Sequence, residues 1–329
     1  MLSGLPLFTA VLIAVARAGP CDIYEEAGTP CVAAHSTVRA LLDDYKQGLY
    51  QVKRESDQKT LDILPKTSGG IADVSLHDEF CDDTVCHISI IYDQSGKSNH
   101  LTAAPAGGAK KKADHPAVAN RLPVKINKHK AYGVWVEEGI GYRNDNTDGI
   151  AIKDEAQAIY MIVDGTRSND GCCFDYGNAE TTNNDEGAGT MEAVYFGKNK
   201  YWGQGSGTGP WIMADLEDGL FGCAEKYCPY LPTVEYPFLV AMLKGRSGGT
   251  FALKQGNAQS GHLKTIYDGP RPPKYTIMNK KGAIVLGIGG DNSNGAIGNF
   301  FEGCIVKGNP NAAIDNKIQE NIVSAHYGQ

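Results

Sequence analysis

The sequence predicts an all-β protein of the sandwich class, and three observations carry that reading. Ten short runs are rich in β-branched or aromatic residues and are bounded by Gly, Asn, Asp or Pro. They are HISIIYD (87–93), AYGVWVEE (131–138), QAIYMIVDG (157–165), MEAVYFG (191–197), PWIMADLE (210–217), PFLVAML (237–243), TFALK (250–254), KTIYDG (264–269), AIVLGIGG (283–290) and FFEGCIV (300–306). The chain carries 40 Gly, 15 Pro and 16 Tyr with only 21% charged residues, which suits short strands joined by tight turns. Helical spacing of apolar residues is confined to the two ends. Near the start, Val38, Leu41, Leu42, Tyr45 and Leu49 predict a helix with Ser36 or Thr37 as its N-cap, and near the end Ile314, Ile318, Ile322 and Ala325 form one stripe.

In chain order, the first element is a leader. An apolar stretch from Leu5 to Ala16 runs into Ala16-Arg17-Ala18, the small-x-small pattern of a secretory cleavage site. Residues 1–18 are therefore expected to be a signal peptide and the protein to be secreted. The apolar stretch falls short of the roughly 18 residues a spanning helix needs, so no membrane partner is expected. All-β folds often run to this length as one domain, so residues 19–329 are read as a single domain. The segment AAPAGGAKKKADHP (103–116) reads as a mobile loop.

Nine cysteines in an exported chain suggest disulfides. Cys21 and Cys31 lie ten positions apart, Cys81 and Cys86 bracket DDTV, and Cys223 and Cys228 bracket AEKY, which makes three local staples plausible. Zinc would need Cys-x-x-Cys or histidines at ligand spacing, so no metal is expected. Cys172 and Cys173 are adjacent, and on spacing alone they pair either with each other or with distant partners. Cys304, in FFEGCIV, reads as a buried free thiol.

A formal charge of −7 argues against a nucleic-acid partner, which needs a clustered basic surface; Lys110, Lys111 and Lys112 read as a solvated loop. Oligomer state leaves no mark, and a monomer is expected.

Two acidic segments stand out. In Trp211-Ile212-Met213-Ala214-Asp215-Leu216-Glu217 the strand period of two puts Trp211, Met213, Asp215 and Glu217 on one face. Two neighbouring carboxylates in a sealed core would repel each other and resist desolvation, so this face borders a cleft or solvent. An exposed strand end entering the turn Asp218-Gly219 satisfies the same pattern. In Gly287-Ile288-Gly289-Gly290-Asp291-Asn292-Ser293 an apolar strand ends in a turn with one acid, and its glycines allow close approach to the backbone. An Asx turn closing a hairpin is the plainer reading there. Trp202, in YWGQGSGTGPW, is a weak candidate for a sugar-stacking ring.

Taken together, GPCDIYEEAGTPCVAAHSTVRAL, IIYDQSGKSNHLT, CCFDYGNAETT, WIMADLEDGLF and GAIVLGIGGDNSNGAIGNFFEG resemble the catalytic domain of the α-L-arabinofuranosidases of glycoside hydrolase family 54, over nearly the whole chain after the leader. The resemblance implies a concanavalin-like β-sandwich (jelly roll) with short peripheral helices. It implies Glu217 as nucleophile, Asp291 as acid/base, and a Cys172–Cys173 disulfide packed against the sugar. Asp215, Trp202 and the Gly290 backbone follow as substrate contacts, and Asp218 is taken with them as the nucleophile's neighbour. The implied reaction is retaining double displacement on terminal α-L-arabinofuranosyl groups of arabinoxylan or arabinan, without a cofactor.

Three departures are expected to matter. The family commonly carries a C-terminal arabinose-binding β-trefoil, and none is expected here. Asp218-Gly219 stands where the family often has two Asn. The insertion CAEKYCPYLP follows close behind the nucleophile. A sugar-binding, lectin-like sandwich and a glycosidase of altered specificity are the alternative readings.

Overall fold

The protein was analysed as a computed structural model that describes residues 18–329. Apart from Ala18, the expected signal peptide lies outside the described residues. Two antiparallel sheets pack face to face. The first has eight strands, in the order Ser260–Pro270, Thr250–Asn257, Phe238–Arg246, Gln157–Asp164, Gly298–Lys307, His129–Val136 and Leu122–Ile126, with Cys31–Ser36 also paired to Gly298–Lys307. The second has ten, in the order Leu220–Phe221, Trp211–Asp215, Glu192–Gly197, Asp175–Ala179, Ala283–Leu286, Tyr142–Asn144, Leu101–Ala103, Cys86–Ile91, Tyr50–Arg54 and Thr60–Ile63. The predicted β-sandwich is the observed architecture.

Side-chain alternation explains why the central strands are apolar throughout. In Gln157–Asp164, Ile159, Met161 and Val163 enter the core between the sheets, where they meet Phe174, Tyr176, Val194, Phe196, Ile212 and Ala214 of the opposite sheet. Ala158, Tyr160 and Ile162 point the other way, into a second core roofed by the helix Ala312–Ser324 through Ile318 and Ile322. Each such fully buried side chain contributes about 1.5–3 kcal/mol. The helix begins where Asn311 accepts hydrogen bonds from the backbone N–H groups of Ala313 (2.9 Å) and Ile314 (3.1 Å).

The helix expected around Val38–Leu49 does not form. Val38, Leu41 and Leu49 are buried, but the backbone is spent on another segment: Ala40 N–H donates to Gly70 O, and Ala72 N–H donates to Val38 O. The helical spacing comes from an irregular stretch laid over the core. The short helix at this end is instead Pro20–Glu26, with Pro at its first turn, and Val74–Phe80 is a further one, capped by Asp73. The segment 103–116 is not a free loop either. Gly108 N–H donates to Asn183 O and Ala109 N–H to Asp291 O, so it braces the Asp291 turn while Lys110, Lys111 and Lys112 stay exposed.

Disulfides Cys21–Cys31 and Cys81–Cys86 form as predicted, with Cα separations of 5.5 and 5.8 Å, and Cys304 is a buried free thiol. Cys172 and Cys173 are bonded to each other. The predicted Cys223–Cys228 bridge is absent, and both residues are free thiols. The two thiols still meet: after burial, the hydrogen bond and charge of Cys223 raise the Cys228 thiol, while Cys223 also reaches Glu225 O at 3.8 Å and Cys228 lies beside Leu231 and Trp211. The loop between them is already held by backbone bonds from Gln204 N–H to Lys226 O and from Cys228 N–H to Gln204 O, both 2.8 Å. Iodoacetamide applied to the native protein is therefore expected to label the half-exposed Cys223 ahead of Cys228 and Cys304. Unfolding without reductant should raise the intact mass by three alkyl groups; a gain of one would show that Cys223 and Cys228 are bridged.

Candidate active site

Period two along Trp211–Asp215 sends Ile212 and Ala214 into the inter-sheet core, while Trp211 and Met213 join Tyr195 and Cys173 on the outer face of the second sheet. Asp215 ends the strand on that outer face. The chain then turns sharply, with Glu217 and Asp218 both in the left-handed region at φ +60° and +58°, a conformation that costs a non-glycine residue roughly 1–2 kcal/mol. Its hydrogen bonds hold the turn. Glu217 N–H donates to Asp215 Oδ1 (3.1 Å), Gly189 N–H to Leu216 O (2.7 Å), and the Tyr275 hydroxyl to Glu217 O (2.9 Å).

The second acidic turn faces the first. Ser293 N–H donates to Asp291 Oδ1 (3.0 Å), so the Asx turn expected from sequence is present and serves the site. Arg143 donates to Gly290 O (2.6 Å), and Cys173 N–H to Ser293 O (3.1 Å), which ties the disulfide segment to the same turn. Gly290 is demanded by space. A Cβ there would overlap Glu180 Oε2 and lie 2.9 Å from Glu217 Oε2, so the two carboxyl groups close on its α-carbon.

These turns enclose a pocket of about 470 Å³ counting its open mouth. Each of the eight candidate site residues, Glu217, Asp291, Asp215, Cys172, Cys173, Gly290, Trp202 and Asp218, lines it. Trp202 stands edge-on to Tyr201, ring centres 4.8 Å apart, and both backbone N–H groups are held by Asn199 Oδ1. Asp185, Gly219, Leu220, Gly289 and Ser293 complete the lining. Two acids behind it escaped the sequence reading. Asp175 and Glu180 are fully buried, and they flank the family-like DYGNAE stretch that continues from the paired cysteines. The strand pattern marks Asp175 as lying opposite Phe174 and Tyr176, but only the sheet order brings it near Asp215. The sulfurs of Cys172 and Cys173 lie at ligand spacing from Asp215, yet their mutual bond leaves no thiolate to bind a metal.

Crowding sets the electrostatics. Burial is the largest influence on each of these acids and pushes Asp215 up to about 7, against the opposing pull of the Glu217 N–H. Burial, then the charges of Asp215 and Glu180, raises Glu217. Burial raises Glu180 despite the Thr190 hydroxyl, which donates to Oε1 at 2.5 Å. Asp175 is raised well above the carboxylate range by burial and by Asp215.

A stability consequence follows for Asp175. An acid whose folded pKa lies above its unfolded value of about 3.9 contributes stability in full below that value and loses it as pH rises towards the folded pKa. Asparagine does not titrate. The Tm of Asp175→Asn relative to the unsubstituted protein should therefore climb steadily from pH 4 to pH 8; a flat or falling difference would mean that Asp175 is ionised in the folded protein.

Comparison with known proteins gives a consistent family. Residues 20–328 match the family described as "Alpha-L-arabinofuranosidase B, catalytic". The chain is 54% identical over 317 residues to a probable α-L-arabinofuranosidase B of Aspergillus fumigatus, covering 94% of this chain and 62% of that protein. It is 50% identical over 342 residues to the α-L-arabinofuranosidase B of Aspergillus oryzae, covering 99% and 67%. The chain thus spans roughly two thirds of the length of these relatives. A crystal structure of an arabinofuranosidase complexed with arabinofuranosyl-α-1,2-xylobiose superimposes with a TM-score of 0.92 at 52% identity, covering 94% of this chain and 65% of that one. A glutamate-to-glutamine mutant of a GH54 α-L-arabinofuranosidase, soaked with 4-nitrophenyl α-L-arabinofuranoside, matches equally well. With a sandwich that superimposes throughout and a family match over its whole described length, the chain belongs to the α-L-arabinofuranosidase B catalytic-domain family.

Proposed function

We propose that this domain is a retaining exo-glycosidase that releases terminal α-L-arabinofuranosyl groups from arabinose-containing plant polysaccharide. One observation carries the reading: two acids on separate, rigid turns, Glu217 and Asp291, line a single pocket sized for one sugar ring. Ionised Glu217 attacks the anomeric carbon while protonated Asp291 gives its proton to the departing glycosidic oxygen. The resulting arabinosyl ester is then hydrolysed by water that Asp291 deprotonates. Asp215 sits where it can accept hydrogen bonds from sugar hydroxyls, and the Cys172–Cys173 bridge and Trp202 supply apolar walls for the ring carbons. The match of this pocket to family members solved with arabinofuranosyl ligands supports the substrate class. Asp218, exposed at the pocket mouth, is the position from which a specificity of its own would come.

The setting is part of the proposal. The leader pattern of residues 1–18 and the disulfides fit export, and the acidic net charge fits a monomer that engages neither nucleic acid nor membrane. Among the described residues, no helix is long and apolar enough to cross a membrane.

The protein is expected to hydrolyse 4-nitrophenyl α-L-arabinofuranoside, with the α-anomer of free arabinose appearing first in proton NMR. Glu217→Gln should lower kcat at least about a thousandfold, and Asp291→Asn by about 10²–10⁴-fold, less on this activated leaving group than on arabinan. A correctly folded protein that binds arabinose without hydrolysing either substrate would leave a lectin-like sandwich; β-arabinose as first product would assign an inverting reaction. Gly290→Ala tests the floor of the site. Its methyl group displaces Glu180 or Glu217, so kcat/KM should fall at least about a hundredfold while the native circular dichroism spectrum is kept.

A further inference from the structure

Glu180 is buried without contact to solvent, and it lies outside the pocket lining. Its two oxygens differ. Oε1 accepts a hydrogen bond at 2.5 Å from the Thr190 hydroxyl, whose single proton is divided with Gly187 O at 2.6 Å. Oε2 is buried and, among the described residues, receives no hydrogen bond from any donor group. It points at the α-carbon of Gly290, which Glu217 Oε2 approaches from the pocket side. Two carboxyl groups that meet across one α-carbon, one with an oxygen lacking any donor, are both satisfied when one keeps a proton and donates it to the other.

We propose that Glu180 is a positioning residue that holds this proton and donates it as a hydrogen bond to one oxygen of the Glu217 carboxylate, leaving the other oxygen free to attack. This rests on Glu217 being the nucleophile. No proton is transferred between the two. The attacking oxygen forms its bond to the anomeric carbon as the glycosidic bond breaks, and the Glu180 O–H then bonds to the carbonyl oxygen of the ester. When water cleaves the ester, the hydrogen bond returns to the carboxylate.

Nucleophilic attack requires Glu217 to be the ionised partner, against a local balance in which burial, the charges of Asp215 and Glu180 and the hydrogen bond to Glu180 raise Glu217 while Thr190 and Arg143 draw Glu180 down. Glu180 and Glu217 are both buried, so ionising either costs desolvation. The one cation at hand, Arg143, works the other way, but its guanidinium is paired through Nε with Asp145 and spends its remaining N–H groups on the main-chain oxygens of Gly290 and Glu180. The other charged groups facing the pair, Asp185, Asp215 and Asp291, are acids, and each disfavours a second negative charge.

The test is the pH profile of kcat/KM for the full chain, Glu180→Leu and Glu180→Gln on 4-nitrophenyl α-L-arabinofuranoside. A hydrogen bond to a charged group is worth about 1.5–3 kcal/mol, or roughly 1–2 pKa units. Removing the donor in Glu180→Leu should move the acid limb up by that amount and lower kcat about ten- to a hundredfold. Glu180→Gln, which keeps a neutral donor, should restore both. An unmoved limb in Glu180→Leu would reduce Glu180 to a packing role. A limb displaced to lower pH would mean that Glu180 is ionised and repels Glu217; either result overturns the proposal. If Glu180→Leu does not fold, infrared difference spectra at pH 6 decide. Glu180→Gln should lose one carboxylic-acid C=O band relative to the unsubstituted protein, and retention of every band places the proton elsewhere. An unsubstituted protein without hydrolytic activity would instead refute the assignment of Glu217 as nucleophile, and this inference with it.

Discussion

Five carboxyl groups crowd one side of the second sheet, and they cannot all carry charge in so confined a space. That constraint organises the site. Asp175 and Asp215 come from strands one removed from each other, with Glu192–Gly197 between them, and their register fixes how far apart they sit. Glu217 and Asp291 hang on turns that leave the sheet, and Glu180 closes the space behind Gly290. Because the sheet is locked on its inner face by the inter-sheet core, the acids cannot relax apart. Their repulsion is expressed as retained protons rather than as movement.

Elsewhere the same fold treats buried acids differently. Glu302 is gripped by two Arg39 nitrogens, at 2.6 and 2.7 Å, and by the hydroxyls of Tyr160 and Tyr327. Asp315 receives both Lys244 and Lys254, at 2.6 and 2.7 Å, and Glu192 has Arg271 at 2.6 Å and Lys280 at 3.5 Å. Removing one member of such a pair strands a buried charge at a cost of about 3–5 kcal/mol. Those acids are neutralised in place and serve the scaffold. The pocket acids have one cation between them, and it is already paired, so their charge remains available to chemistry.

Much of this was legible in the sequence, for reasons particular to each element. The strand runs were clear because the central strands are buried on both faces, as in QAIYMIVDG. Strands such as Tyr50–Arg54, Thr60–Ile63 and Leu122–Ile126 escaped notice because they are short and partly exposed, with lysine and arginine among their residues. Around Val38–Leu49, apolar spacing mimicked a helix because a coil pressed on a core repeats its contacts at similar intervals. The pocket residues were found through two acidic turns and a family resemblance. Glu180 and Asp175 were not, since a buried acid leaves no periodic signature and their partners are far away in sequence. For Cys223 and Cys228 the spacing correctly brings two thiols together, but spacing alone does not say whether they are bonded.

The crowding at Gly290 also divides the site into parts of unequal freedom. Any side chain there collides with the acids beneath it, so the floor tolerates no variation that keeps the chemistry. Trp202 and Asp218 border open space and answer to whatever lies outside the mouth. A laboratory library aimed at new glycosides is best spent on that rim, where substitutions explore affinity without touching the proton inventory below. Natural divergence within such a domain would be channelled the same way, with conserved chemistry under a mutable threshold.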